Sequence, residues 1–202
     1  MAYAKEKFTT PKGNLKWAFV TGEGRKDKFS VVVKVHKDEP ECIEAMKHID
    51  EFWDTNRPQG SKAKPKTKAY KMEEDDDTGV ETGYVYFSAS TPTTYGKSGD
   101  KKTVTIFTAK PPVRKVDLGT KQIGEESIGR AMGVLSIYEY EGSYGTTIYL
   151  DALSLSKFVQ YEGSIDAGDV VTDDDAEDID LGEVSVGTDS VQDEETPEVP
   201  RT

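Results

Sequence analysis

The sequence holds one cysteine, Cys42, and only two histidines, His36 and His48, in 202 residues. One thiol cannot form an intramolecular disulfide, which excludes a disulfide-stapled secreted scaffold and points to a reducing cytoplasm. No run approaches the ~18 apolar residues of a membrane-spanning helix, so none is expected. The start, Met1-Ala2-Tyr3-Ala4-Lys5-Glu6-Lys7, lacks the apolar segment of a secretory leader. Aromatic residues are absent beyond Tyr161, although the chain carries 10 Tyr, 7 Phe and 2 Trp. Residues 162–202 contain 15 acids against a single base, Arg201, for a net charge of −14. A segment without large packing groups that repels itself is expected to be disordered. The remaining residues, 1–161, balance 25 bases against 23 acids, a net +2. The division expected is therefore a folded body, 1–161, and an acidic tail, 162–202. The overall pI near 4.7 reflects the tail and hides a body that can accept a polyanion.

Several runs in the body alternate apolar and polar residues with the period of a half-buried strand. Leu15, Trp17 and Phe19 form one set, Phe29, Val31, Val33 and Val35 a second, and Val85, Phe87 and Ala89 a third. Val104 and Ile106, then Leu135 and Ile137, continue the series. The last run, 146–159, changes parity between Leu150 and Leu153, which predicts a bulge near Asp151-Ala152. Asp38-Glu39-Pro40-Glu41 reads as a helix start with Asp38 as N-cap. Ile43, Met46, Ile49 and Trp53 follow at helical spacing, and the helix should end before Asn56-Arg57-Pro58. Five or six short strands with one helix fit a small barrel or sandwich, the five-stranded OB-fold among them.

Signatures of catalysis are missing. His36, Cys42 and His48 lie too evenly apart for the paired ligands of a zinc site, so Cys42 is expected to pack as an apolar residue. Gly96-Lys97-Ser98 lacks the earlier glycine of a phosphate-binding loop, since position 91 is Thr91, and reads as a turn. The acidic clusters 73–77 and 173–178 have no glycine where a calcium loop needs it and read as a solvated loop and tail. No metal, no cofactor and no enzymatic activity are expected.

Two features rise above this background. Residues 57–71 carry Arg57, Lys62, Lys64, Lys66, Lys68 and Lys71 without an acid, and Pro65 among alternating lysines suggests an extended arm. Arg25, Lys26, Lys28 and Lys34 add charge at or before a strand, and Lys97, Lys101 and Lys102 at a turn. Strand parity also turns Tyr84 and Tyr86, Tyr138 and Tyr140, and Tyr149 to outer faces. Tyrosine faces beside lysines are what single-stranded nucleic acid needs: rings for the bases and cations for the phosphates.

The ordered set resembles the replication single-stranded-DNA-binding proteins of short-tailed bacteriophages of the T-odd coliphage type. The pieces are the strand Phe29–Val35 running through Lys37-Asp38-Glu39-Pro40-Glu41-Cys42 into a helix, and the arm Lys64-Pro65-Lys66-Thr67-Lys68-Ala69-Tyr70. The hairpin Val134–Tyr140 with 146–159 follows, and the acidic tail comes last. The resemblance implies an OB-fold core that binds single-stranded DNA in replication and recombination, often as a homodimer, in the cytoplasm of an infected bacterium. It implies that the tail contacts the phage polymerase and helicase-primase. This chain ends Glu198-Val199-Pro200-Arg201-Thr202 without the terminal aromatic common in that family, so charge-based docking is expected. The expected DNA contacts are Lys26, Lys28, Lys34, Lys62, Lys64, Lys66, Lys68, Tyr84, Tyr86, Phe87, Tyr138 and Tyr140. Asp173, Asp174, Asp175, Glu177, Asp178, Asp180, Asp193, Glu194 and Glu195 are the expected partner-binding acids. A tail of this charge is also expected to compete with DNA for the body.

Overall fold

The structure is a computed structural model and describes residues 3–161, apart from 23, 63, 97 and 120. The tail acids named above and Lys97 lie outside the described residues. Among the described residues nine strands and one helix follow in chain order: β1 (Lys5–Thr9), β2 (Gly13–Phe19), β3 (Lys28–His36), α1 (Pro40–Asn56), β4 (Tyr70–Glu74), β5 (Glu81–Pro92), β6 (Thr105–Thr108), β7 (Lys115–Val116), β8 (Ile128–Tyr140) and β9 (Ser143–Lys157).

Five of them close a ring, β2-β3-β5-β9-β8 and back to β2, with β5 and β9 parallel and the other pairs antiparallel. This is the five-stranded barrel of the OB-fold, with α1 inserted after its second strand. The seam that closes it is short, Gly13 opposite Gly129 and Asn14 opposite Ile128. A side chain on Gly129 would place its Cβ 2.5 Å from the Ser154 carbonyl oxygen of β9, so β8 keeps its place beside β9 there only without one.

The strands with one covered face follow their pattern. Phe29, Val31, Val33 and Val35 of β3 and Val85, Phe87 and Ala89 of β5 are buried in the barrel interior. Each contributes about 1.5–3 kcal/mol by leaving water, or less for alanine. The expected bulge in β9 is present: Met132 pairs with Ala152 and Gly133 with Leu150, leaving Asp151 unpaired. Leu150 and Leu153 thereby both reach the core. Gly133 is required there, because a Cβ would lie 1.9 Å from the Tyr149 carbonyl oxygen.

The β2 pattern does not hold. Its pairing with β3 slips between Lys16 and Phe19, and Trp17 adopts a left-handed φ of 48°. This bulge sends Ala18 inward and leaves Trp17 52 % exposed. A left-handed conformation at a bulky residue costs about 1–3 kcal/mol. The start of the helix also differs. Glu39, not Asp38, is the N-cap and makes no side-chain bond there, while Pro40, which has no N–H to satisfy, opens the first helical turn. The buried stripe of α1 is Cys42, Ala45, Ile49, Phe52 and Trp53, with Ile43 outside. Arg130 of β8 clamps Glu41 through both carboxylate oxygens, at 2.8 and 2.9 Å, and Glu6 of β1 meets His48. Cys42 is packed as expected, and burial pushes its thiol up to about 11. Among the described residues no helix is long and apolar enough to cross a membrane.

Candidate nucleic-acid interface

The arm between α1 and β4 is not the extended segment expected: it turns at Gln59-Gly60, bends at Lys64, Lys66, Thr67 and Ala69, and is pinned. β5 and β9 pair directly only around Ala89 and Ser90, and the arm fills the gap where they diverge. Lys66 N–H donates to the Tyr144 carbonyl at 2.8 Å, and Thr146 N–H to the Thr67 carbonyl at 3.0 Å. Ala69 N–H donates to Thr146 Oγ1, and Ser88 N–H to the Ala69 carbonyl. From there the chain enters β4, which pairs with the other half of β5. Lys68 reaches Asp50 of α1 at 2.7 Å and the Tyr70 hydroxyl at 2.8 Å. Burial works against its charge, but these two partners outweigh it and raise its pKa.

Beside the arm lies a groove of about 510 Å³. Lys28 and Pro92 stand at one end, Thr67, Lys68 and Tyr149 along its sides, and Tyr138, Glu139 and Tyr140 on the β8–β9 hairpin. Ser88, Ser90, Thr91 and Thr147 supply hydroxyls. Tyr138 and Thr67 hydrogen-bond through their hydroxyls, which fixes that ring against the arm. Tyr140, by contrast, is 62 % exposed, and Tyr149 is also exposed. Lys28 has no ion pair among the described residues. In OB barrels the face of the second and third strands, with the loops joining strands one to two and four to five, is the usual oligonucleotide surface. Here those strands are β3 and β5, and those loops are residues 20–27 and the hairpin tip at Glu141 and Gly142. The groove sits between that face and that tip. Lys26, exposed and with a φ of 52°, is on the first of the two loops.

The other expected contacts separate into two further groups. Lys34, Tyr84 and Tyr86 share the outer face of β3 and β5, where Lys34 pairs in register with Tyr86. The Lys34 ammonium lies 4.3 Å from the centre of the Tyr84 ring and 2.7 Å from Glu73 Oε1. Tyr86 and Thr82 hydroxyls also donate to Glu73. The 73–77 cluster is thus not wholly a solvated loop: Glu73 belongs to β4, and Lys34, Thr82 and Tyr86 hold its carboxylate down to about 2. Burial and then Glu73 push the Tyr86 phenol up to about 12. Lys62, Lys64 and Lys66 line a separate cup of about 580 Å³ on the far side of the hairpin tip, with Ser61, Pro65 and Tyr144. They make no ion pair among the described residues.

Phe87 is a correction. It is fully buried in the barrel, against Tyr70, so no base can stack on it. Strand parity gave this away, since Phe87 follows the inward series of Val85. Trp17 is the aromatic that the sequence placed wrongly, inward instead of on the surface beside Tyr86, with ring centres 5.9 Å apart. Among the described residues no group of three or more His, Cys, Asp and Glu side chains is placed to hold a metal ion.

The chain shares its fold with single-stranded-DNA-binding proteins of bacteriophages. The structure of gp2.5, a single-stranded DNA-binding protein encoded by bacteriophage T7, matches with a TM-score of 0.54 and 16 % identity, covering 91 % of this chain and 100 % of that one. The single-stranded DNA-binding protein from bacteriophage Enc34 matches with a TM-score of 0.53 and 15 % identity, over 81 % of this chain and 88 % of its own. The same Enc34 protein in complex with ssDNA matches with a TM-score of 0.55 and 13 % identity, over 78 % and 89 %. At these identities the likeness is one of fold. No protein-family model matches the chain, and no curated protein matches its sequence.

Proposed function

We propose that this protein binds single-stranded DNA without sequence preference, as a non-catalytic component of phage DNA replication and recombination in the cytoplasm of an infected bacterium. The observation that carries the reading is the groove, where exposed Tyr140 and Tyr149 stand beside Lys28 and Lys68 on the ligand face of an OB barrel. The shared fold with phage proteins of that activity supports it. Tyrosine rings accept any base on their faces, at about 1–3 kcal/mol per stack, while lysines follow the phosphates.

The body, 1–161, carries this activity, with Lys26, Lys34, Tyr84, Tyr86 and Tyr138 and the cup of Lys62, Lys64 and Lys66 as candidate extensions of the path. The acidic tail, 162–202, competes with DNA through its −14 charge and, once displaced, recruits the replicative polymerase and helicase-primase. A fluorescence titration with oligo(dT), oligo(rU) and duplex DNA at several salt concentrations tests the binding reading. Tight binding to oligo(dT) that falls with salt is expected; preference for oligo(rU) would point to an RNA-binding barrel, in which the 2′-hydroxyl is read. Deleting residues 163–202 should tighten oligo(dT) binding most at low salt, where screening is weakest. Unchanged affinity there would refute competition by the tail.

A further inference from the structure

We infer that Trp17 is a separate base-stacking station, outside the groove, for an unpaired base of the same DNA strand. The inference rests on the single-stranded-DNA reading above and adds to it a ligand site on β2. Three observations meet at this residue. A bulge in β2 reverses the parity of the strand, so that the small Ala18 fills the interior and the large indole is turned outward. Bulges near binding sites serve to re-aim one side chain in this way. The backbone there is left-handed, a conformation bulky residues rarely adopt, so the outward placement is built in.

The indole is also held in place. Its ring meets Tyr86 edge-to-face at 74°, and Tyr86 is itself fixed by its hydroxyl on Glu73. Half of the Trp17 surface nevertheless remains open. The position is on the route of a strand lying in the groove: Tyr86 and Ser90 share the outer face of β5, about 13 Å apart at the usual rise per residue, and Ser90 pairs in register with Tyr149. An edge-fixed aromatic pair with open area, on the same face of β5 as Ser88 and Ser90 of the groove, fits a planar base.

Electrostatics decide which part of the nucleotide the station takes. Of the neighbouring cations, Lys34 is occupied by Glu73 and Lys16 by Glu125, while exposed Lys71, in register with Tyr86, has no ion pair among the described residues. Lys71 is left to follow a phosphate, and the indole itself is uncharged, so the contact of Trp17 is with the base. Losing it should weaken binding without changing the salt dependence, unlike the loss of a lysine.

The protein supplies its own probe. Trp53, the other tryptophan, is 3 % exposed in the packing of α1, so quenching by bound DNA should come from Trp17. The experiment titrates (dT)15 into the full chain, with anisotropy of a labelled oligonucleotide reporting binding and tryptophan emission reporting the station. Binding with emission quenched in the parent and not in Trp17→Phe is expected. Trp17→Ala should bind about 5- to 150-fold more weakly with an unchanged salt slope, while Trp17→Phe, which keeps a ring, should lose much less. Binding by anisotropy without quenching, or a Trp17→Ala variant that binds like the parent, would overturn the station and leave the groove reading intact. Absence of any binding in the parent would overturn both.

Discussion

Replacing Glu73 with Gln should make the protein less stable and a tighter binder. Glu73 accepts hydrogen bonds from Lys34, Thr82 and Tyr86, and its carboxyl is held down to about 2 from an ordinary 4.5. That depression corresponds to roughly 3 kcal/mol as an upper bound. The Glu73 and Lys34 side chains keep 16 % and 21 % of their exposure, so water and salt screen the pair and a loss of about 1–2 kcal/mol is expected. A folded pKa below the unfolded one gives stability that is complete above about 4.5 and lost as the pH falls towards about 2. The stability difference between parent and Glu73→Gln should therefore be constant near neutrality and shrink through that acid window. The amide oxygen still accepts from Tyr86 and the amide NH2 donates to the Thr82 hydroxyl, so the rings stay in place while the Lys34 ammonium loses its charge partner and is released to a phosphate. One added contact should steepen the log–log salt dependence by about 0.7 and tighten oligo(dT) binding by about 1 kcal/mol, roughly fivefold. Urea unfolding from pH 2 to 7 and anisotropy titrations at several salt concentrations measure the two effects. Weaker DNA binding by Glu73→Gln, or an unchanged salt slope, would refute the reasoning that Lys34 is a phosphate site held by an internal carboxylate.

Other outcomes follow from single contacts. Tyr140→Ala should cost about 1–3 kcal/mol of DNA affinity with the salt slope unchanged, whereas Lys28→Gln should flatten the slope by about 0.7, both read by the same titration. Gly133→Ala should destabilise the barrel by more than ~2 kcal/mol, since its Cβ would lie 1.9 Å from the Tyr149 carbonyl oxygen and the bulge cannot relax without losing the Leu150 register; urea unfolding reads this. Cys42 should resist a thiol reagent at pH 8 in the native protein and react fully in denaturant, because burial removes both access and thiolate.

What could be read in the sequence depended on how each strand is covered. β3 and β5 bury one face along their length, so Val31 and Val33, Val85 and Phe87 announce their direction, and Phe87 could have been removed from the DNA contacts on that pattern alone. β2 carries only two core side chains on either side of a bulge, Leu15 and Ala18, and one extra residue in a seven-residue strand leaves no periodic trace. The β9 bulge was legible because Leu150 and Leu153 frame it. The short strands β1 and β4 showed no alternation of their own; β1 pairs with β8, and β4 lies along β5. Glu73 looked like one of several surface acids because its partners, Lys34 and Tyr86, are distant in sequence. The groove itself was half legible: Tyr138, Tyr140, Lys28 and Lys68 could be named, but only the register of the hairpin against the arm brings them together.

Photo-crosslinking tests the central claim most directly. An oligo(dT) carrying 5-iodouracil, irradiated on the full chain and mapped by mass spectrometry, should attach to the aromatic residues of the ligand face, with Tyr140 and Tyr149 foremost and Trp17 beside them. Crosslinks confined to aromatics away from that face, such as Tyr95 or Tyr161, would contradict the site, and an oligonucleotide that neither binds nor crosslinks would contradict the account as a whole.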